Sequence, residues 1–112
     1  MAVSALTIAE VLDRAADLIE PEGAWTQGVW ARNDAGIPTS IYGRDAICFC
    51  MRGALVRTAN APLTSDLPGV QGALGFKTAS AMARWNDREN RTQAEVVAKL
   101  REAAALAREQ GA

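Results

Sequence analysis

Cys48 and Cys50 flank Phe49, and two thiols this close suggest three chemistries: metal ligation, a redox pair, or a thiolate nucleophile. The chain has no histidine and no further cysteine, so a four-ligand zinc set has nothing to complete it. The surrounding Ala, Leu, Met and Arg favour helix. On a helix, side chains two positions apart point roughly 200° apart. They then cannot share one ion or close a disulfide without unwinding the turn. A thiolate nucleophile normally needs a base such as histidine and an electropositive, open setting; Arg44 and Arg52 supply nearby charge, but the base is missing. Free cysteine is among the most buried residue types, so packing is the favoured role. No catalytic residue, no metal ligand and no cofactor is expected.

The other polar chemistry lies in two stretches, each opened by an indole. Trp25, Thr26 and Gln27 form the first; Trp85, Asn86 and Asp87, followed by Arg91, form the second. If the two stretches meet, they make a small aromatic-walled polar pocket or a partner patch, and these seven residues are the candidate ligand or partner site. Each also has a plainer role. Thr26 and Gln27 can satisfy buried backbone groups, and Asn86-Asp87 is ordinary turn chemistry. Asp87 is the one candidate acid/base. Gly69, Gly72 and Gly75 do not make a dinucleotide fingerprint, because no strand-turn-helix setting precedes them.

The elements that must position these residues centre on Asp45–Thr58. Between Ala46 and Val56 only Arg52 is charged, and a run this short cannot span a bilayer, which takes about 20 apolar residues. The pattern predicts a buried helix over 44–59, with Ile47, Cys50, Met51, Ala54, Leu55 and Thr58 on one face. Gly53 inside it implies close approach by a neighbouring helix or an indole. Thr7 and Glu10 have capping-box spacing and open an amphipathic helix over 7–20, ended by Pro21 and Gly23. Its acidic side is a solvated face or a docking face. Residues 28–32 and 37–41, around the Asn33-Asp34-Ala35-Gly36 turn, predict a two-stranded hairpin lying against the central helix. Asn60–Gly69 is a loop, with Ser65 or Asp66 capping a weaker, glycine-containing helix over 67–84. Trp85–Arg91 is a polar connection. Thr92 and Glu95 form a second capping box, opening a last helix over 92–109 in which Glu95 and Lys99 make an i, i+4 pair. The fold class is mainly α: four helices and one small hairpin.

At 112 residues the chain is expected to be one domain. It holds 23 alanines, which offer little area to bury, so Trp25, Trp30, Trp85, Phe49 and Phe76 are expected to carry the core out of proportion to their number. Net charge is −1 overall, with −4 over residues 1–22, +2 over 23–65 and +1 over 66–112. That lacks the dense basic footprint of a nucleic-acid binder, so no nucleic acid and no membrane is expected as partner. Residues 1–6 lack a basic, long apolar leader, and two unpaired thiols fit a reducing cytoplasm.

The blocks Trp25-Thr26-Gln27-Gly28, Cys48-Phe49-Cys50 with Gly53-Ala54-Leu55, and Trp85-Asn86-Asp87 with Arg91-Thr92 and Glu95-Val96 together resemble a family of small uncharacterised bacterial and phage proteins, a domain of unknown function. The resemblance spans most of the chain. It implies a compact domain of bacterial or phage origin and no assigned activity. The function expected from the residues is non-enzymatic binding, to a protein partner or another copy of the chain. The alternatives are a small enzyme using a Cys thiolate or Asp87, and a self-associating structural or host-defence-antagonist accessory protein.

Overall fold

The structure, a computed structural model, describes residues 6–112; residues 1–5, most of the segment inspected for a leader, lie outside the described residues. Among the described residues there are five helices and one very small sheet: α1 (Ile8–Ile19), β1 (Ala31–Arg32), β2 (Cys48–Phe49), α2 (Met51–Ala59), α3 (Pro68–Leu74), α4 (Ala79–Asp87) and α5 (Gln93–Glu109). Among the described residues, no helix is long and apolar enough to cross a membrane.

The first and last helices form where their sequence signals place them. Thr7 Oγ1 accepts from the Glu10 amide at 3.1 Å while the Glu10 carboxylate accepts from the Thr7 amide at 2.9 Å. Thr92 and Glu95 repeat this reciprocal cap on α5. Val11, Leu12, Ala15, Ala16 and Ile19 of α1 are buried, as are Val96, Leu100, Ala103, Ala104 and Ala107 of α5. The small alanines let these two helices lie close along each other, with α2 packed on α1 from another side. The acidic side of α1 is not a free face. Arg101 reaches Asp13 at 3.2 Å, Asp17 at 2.7 Å and Glu20 at 3.2 Å, and Arg108 also pairs with Asp13.

This clamp has a pH signature. The Arg108 guanidinium, helped by Arg101, holds the Asp13 carboxyl below its ordinary value of 3.8. The Thr7 and Thr92 amides likewise hold Glu10 and Glu95 down. A depressed folded-state pKa gives stability that is present above the unfolded pKa and is lost as protons bind on the way down. Unfolding free energy is therefore expected to fall as pH drops below about 4, and Asp13→Asn is expected to flatten that fall. Urea titrations of both proteins between pH 7 and pH 2.5 measure it; parallel acid limbs would exclude Asp13 as a contributor.

The middle of the chain departs from the sequence pattern in three places. The central helix does not span 44–59; it begins at Met51. Cys48 and Phe49 are strand, and Cys50 is the N-cap, its sulfur accepting from the Gly53 amide at 3.2 Å. The helical pattern lost here to a pairing that is distant in sequence: Ala31 opposes Phe49 and Arg32 opposes Cys48 in antiparallel register. Asp45 therefore sits in a turn, accepting from the Thr39 hydroxyl at 3.1 Å, and Ile47, expected on a core face, is 51% exposed.

The expected hairpin over 28–32 and 37–41 is replaced by this β1–β2 pair. The Asn33–Gly36 turn does form, with Gly36 at φ +78° and its amide 2.9 Å from the Asn33 carbonyl. The returning segment contributes the Arg32–Pro38 bridge, flanked by the Asn33 amide donating to the Ile37 carbonyl at 2.9 Å and the Thr39 amide donating to the Ala31 carbonyl at 3.0 Å; Pro38 stands at the non-hydrogen-bonded position, where its missing amide strands no partner. On the far side of β2, Trp25 makes a parallel bridge to Phe49.

The expected helix over 67–84 is two helices. Gly75 at φ +83° terminates α3 with a left-handed cap, and the Thr78 hydroxyl starts α4 by accepting from the Ala81 amide at 3.0 Å. Neither Ser65 nor Asp66 caps α3; Leu67 stands at its N-cap with no side-chain hydrogen bond, and Ser65 Oγ accepts from the Leu67 amide instead. Helix α4 then continues through Trp85, Asn86 and Asp87, so the first half of the expected polar connection is its last turn.

The core is aliphatic rather than aromatic. Leu12, Ile19, Met51, Leu55, Val56, Val96 and Leu100 are fully buried, with Phe49 the one aromatic among the buried residues; Trp25, Trp30, Trp85 and Phe76 pack at its margin, partly buried.

Candidate functional site

The two indole-led stretches meet, and Asn86 is where they join. Among the described residues it is the one buried polar side chain outside the cysteines, 1% exposed. Its Oδ1 accepts from Trp25 Nε1 at 2.8 Å and from the Met51 amide at 3.0 Å. Its Nδ2 donates to the Thr26 carbonyl at 3.1 Å and to Asp87 Oδ1 at 2.9 Å. An amide side chain has two donor hydrogens and two acceptor lone pairs, and here all four are used. One residue thus ties the end of α4 to the 24–28 segment and to the first amide of α2, one of the orphan donors of a helix start.

The neighbouring candidates complete the joint. Gln27 Nε2 donates to the carbonyls of Asn86 at 2.9 Å and Arg88 at 3.1 Å, covering acceptors that the end of α4 leaves open. Asp87 Oδ1 accepts from the Gly28 amide at 2.9 Å. Thr26 Oγ1 accepts from Arg32 Nε at 3.0 Å. Arg91 Nε donates to the Trp85 carbonyl at 2.9 Å, and its guanidinium lies 3.7 Å from the centre of the Trp85 ring. Lys99 Nζ is 5.2 Å from the same ring and 5.1 Å from Phe76. The pair expected for Glu95 and Lys99 is replaced by Arg91 to Glu95 at 3.4 Å, because the two aromatic faces draw the lysine away. Trp85 is thus covered by cations, and the Trp25 N–H is already donated. All seven predicted residues come together, but most of their polar capacity is turned inward.

What stays open lies beside the joint. A notch of about 120 Å³ is bounded by Gly28 and Trp30, by Cys50 and Arg52 at the start of α2, and by Ala83 and Asp87 of α4. Of these, only Asp87 is among the seven residues predicted as the ligand or partner site. The available signal for Arg52 was its being the one charge in an apolar stretch, and Trp30 stood out only as a large core side chain; Ala83 gave none, because its meeting with them depends on the sheet and on the α3–α4 break. Arg52 stacks on the Trp30 ring, 4.9 Å from its centre, and donates to the Ser65 carbonyl at 3.0 Å and the Leu63 carbonyl at 3.4 Å. Its Nε is buried with no hydrogen-bond partner among the described residues. Asp87 is exposed.

Cys50 in this notch is a neutral thiol at physiological pH. Burial pushes it above its ordinary value, and the Asp87 charge adds to this, outweighing the Gly53 amide that pulls the other way. A high thiol pKa lowers the reactive thiolate fraction. Both cysteines are buried and free. A thiol-disulfide reagent at neutral pH is expected to label them only as the protein unfolds; labelling of Cys50 in the native state at the rate of an exposed thiol would contradict this. As an N-cap, Cys50 is expected to tolerate Ser, which keeps an acceptor, while Cys50→Ala is expected to cost about 1 kcal/mol, measured by urea unfolding.

A mainly helical fold of this size, with a buried asparagine joint and a shallow notch beside it, defines a structural class without defining a reaction. The chain belongs to DUF6197, a family of unknown function, whose model matches residues 3–106. No curated protein and no solved structure matches it.

Proposed function

We propose that the protein is a non-enzymatic binding module and that its partner engages the notch between the 28–30 segment, the start of α2 and α4. The observation that carries this reading is the contrast between two neighbouring groups of residues. The polar atoms around Asn86 are consumed in holding three chain segments together, whereas the notch sets an exposed Asp87 beside the Trp30 indole and the Arg52 guanidinium stacked on it. A few polar groups in a rigid, partly apolar recess are the usual make-up of a recognition site. The absence of any histidine and the neutral Cys50 thiol support binding over catalysis. Two free cysteines support a reducing, cytoplasmic setting. The resemblance noted from the sequence blocks supports a bacterial or phage source.

The test separates the notch from the joint. Ala83→Met fills the notch and leaves the Asn86 side chain in place, and Asp87→Asn keeps an oxygen for both the Gly28 amide and the Asn86 side chain while removing the charge. Partners captured from cells of the source organism by wild type are expected to be lost or weakened tenfold or more with either variant, while circular dichroism and urea unfolding stay near wild type. Undiminished capture by both folded variants would sink the proposal.

A further inference from the structure

We draw no further inference here: the strongest candidate, the surface hollow between α3 and α5 around the half-exposed Leu106, carries nothing because nothing in the structure shows what covers it.

Discussion

Asn86→Ala is expected to destabilise the protein by roughly 3–5 kcal/mol, a large share of the total stability of a domain this size. The side chain is small and contributes little apolar area, so lost packing is a minor part. The cost lies in what the substitution strands. The Met51 amide is in the core and would have no acceptor; a buried donor left unpaired costs about 1–3 kcal/mol. The Trp25 N–H and the Thr26 carbonyl are partly buried and would lose partners at 2.8 Å and 3.1 Å. Trp25→Phe is the graded comparison. It removes one of the four bonds, keeps an aromatic ring, and leaves Asn86 its Met51, Thr26 and Asp87 partners, so it is expected to cost about 1 kcal/mol. Urea unfolding of both variants reads the two costs directly. Equal losses would mean that Asn86 acts through the tryptophan alone and that the joint does not hold three segments at once. Asn86→Asp sharpens the point. It preserves the acceptor for Trp25 and Met51 but faces a carboxylate toward Asp87 Oδ1 and the Thr26 carbonyl, so its deficit is expected to shrink as pH falls and the new carboxyl is protonated.

How far the sequence speaks for the structure depends on whether the deciding interaction is local. Helices α1 and α5 are legible because each has its cap and its partner three residues apart, followed by apolar positions at helical spacing. The stretch around Phe49 is not, because Cys48 and Phe49 are strand only through Ala31 and Arg32, some 17 positions away in the register; alone, Ala, Leu and Met argue for helix. The same holds at Trp85-Asn86-Asp87. Asn and Asp read as turn formers, yet here their side chains bond to a distant segment and leave the helix backbone undisturbed. The indole-led stretches were identifiable by residue type, and they do converge, but whether their polar atoms face outward or each other is a question of three-dimensional pairing. The notch was beyond reach for a further reason. Its walls are defined by small residues, Gly28 and Ala83, which mark a recess by what they lack and give no positive signal in a sequence.

Gly53→Ala tests the tightest backbone approach at any glycine of the chain, and here local and tertiary effects predict opposite signs. Alanine is preferred over glycine inside a helix by up to about 1 kcal/mol, so helix propensity alone predicts a gain. In the folded protein a Cβ at position 53 would stand 2.3 Å from the Trp30 carbonyl oxygen and 3.2 Å from the Trp30 carbonyl carbon and Ile41 Cγ2. The first of these is backbone, so no side-chain rotation relieves it. The Trp30 carbonyl is also held in place by the Cys50 amide at 3.1 Å, immediately before α2. Moving it loosens the Cys50 backbone bond and the Trp30 wall of the notch together. Overpacking of this kind costs about 1–3 kcal/mol or more, and a clash with constrained backbone belongs at the upper end, leaving a net loss of about 2 kcal/mol after the propensity gain. Gly72→Ala is the matched control. Gly72 also lies inside a helix, α3, but an added Cβ there meets nothing within 4 Å, so the same substitution is expected to stabilise by about 0.5–1 kcal/mol. Thermal and urea unfolding of the two single variants should therefore move in opposite directions. A stabilised Gly53→Ala protein would mean that α2 and the Trp30 backbone do not approach this closely, and the sheet, the cap and the notch that depend on that approach would have to be redrawn.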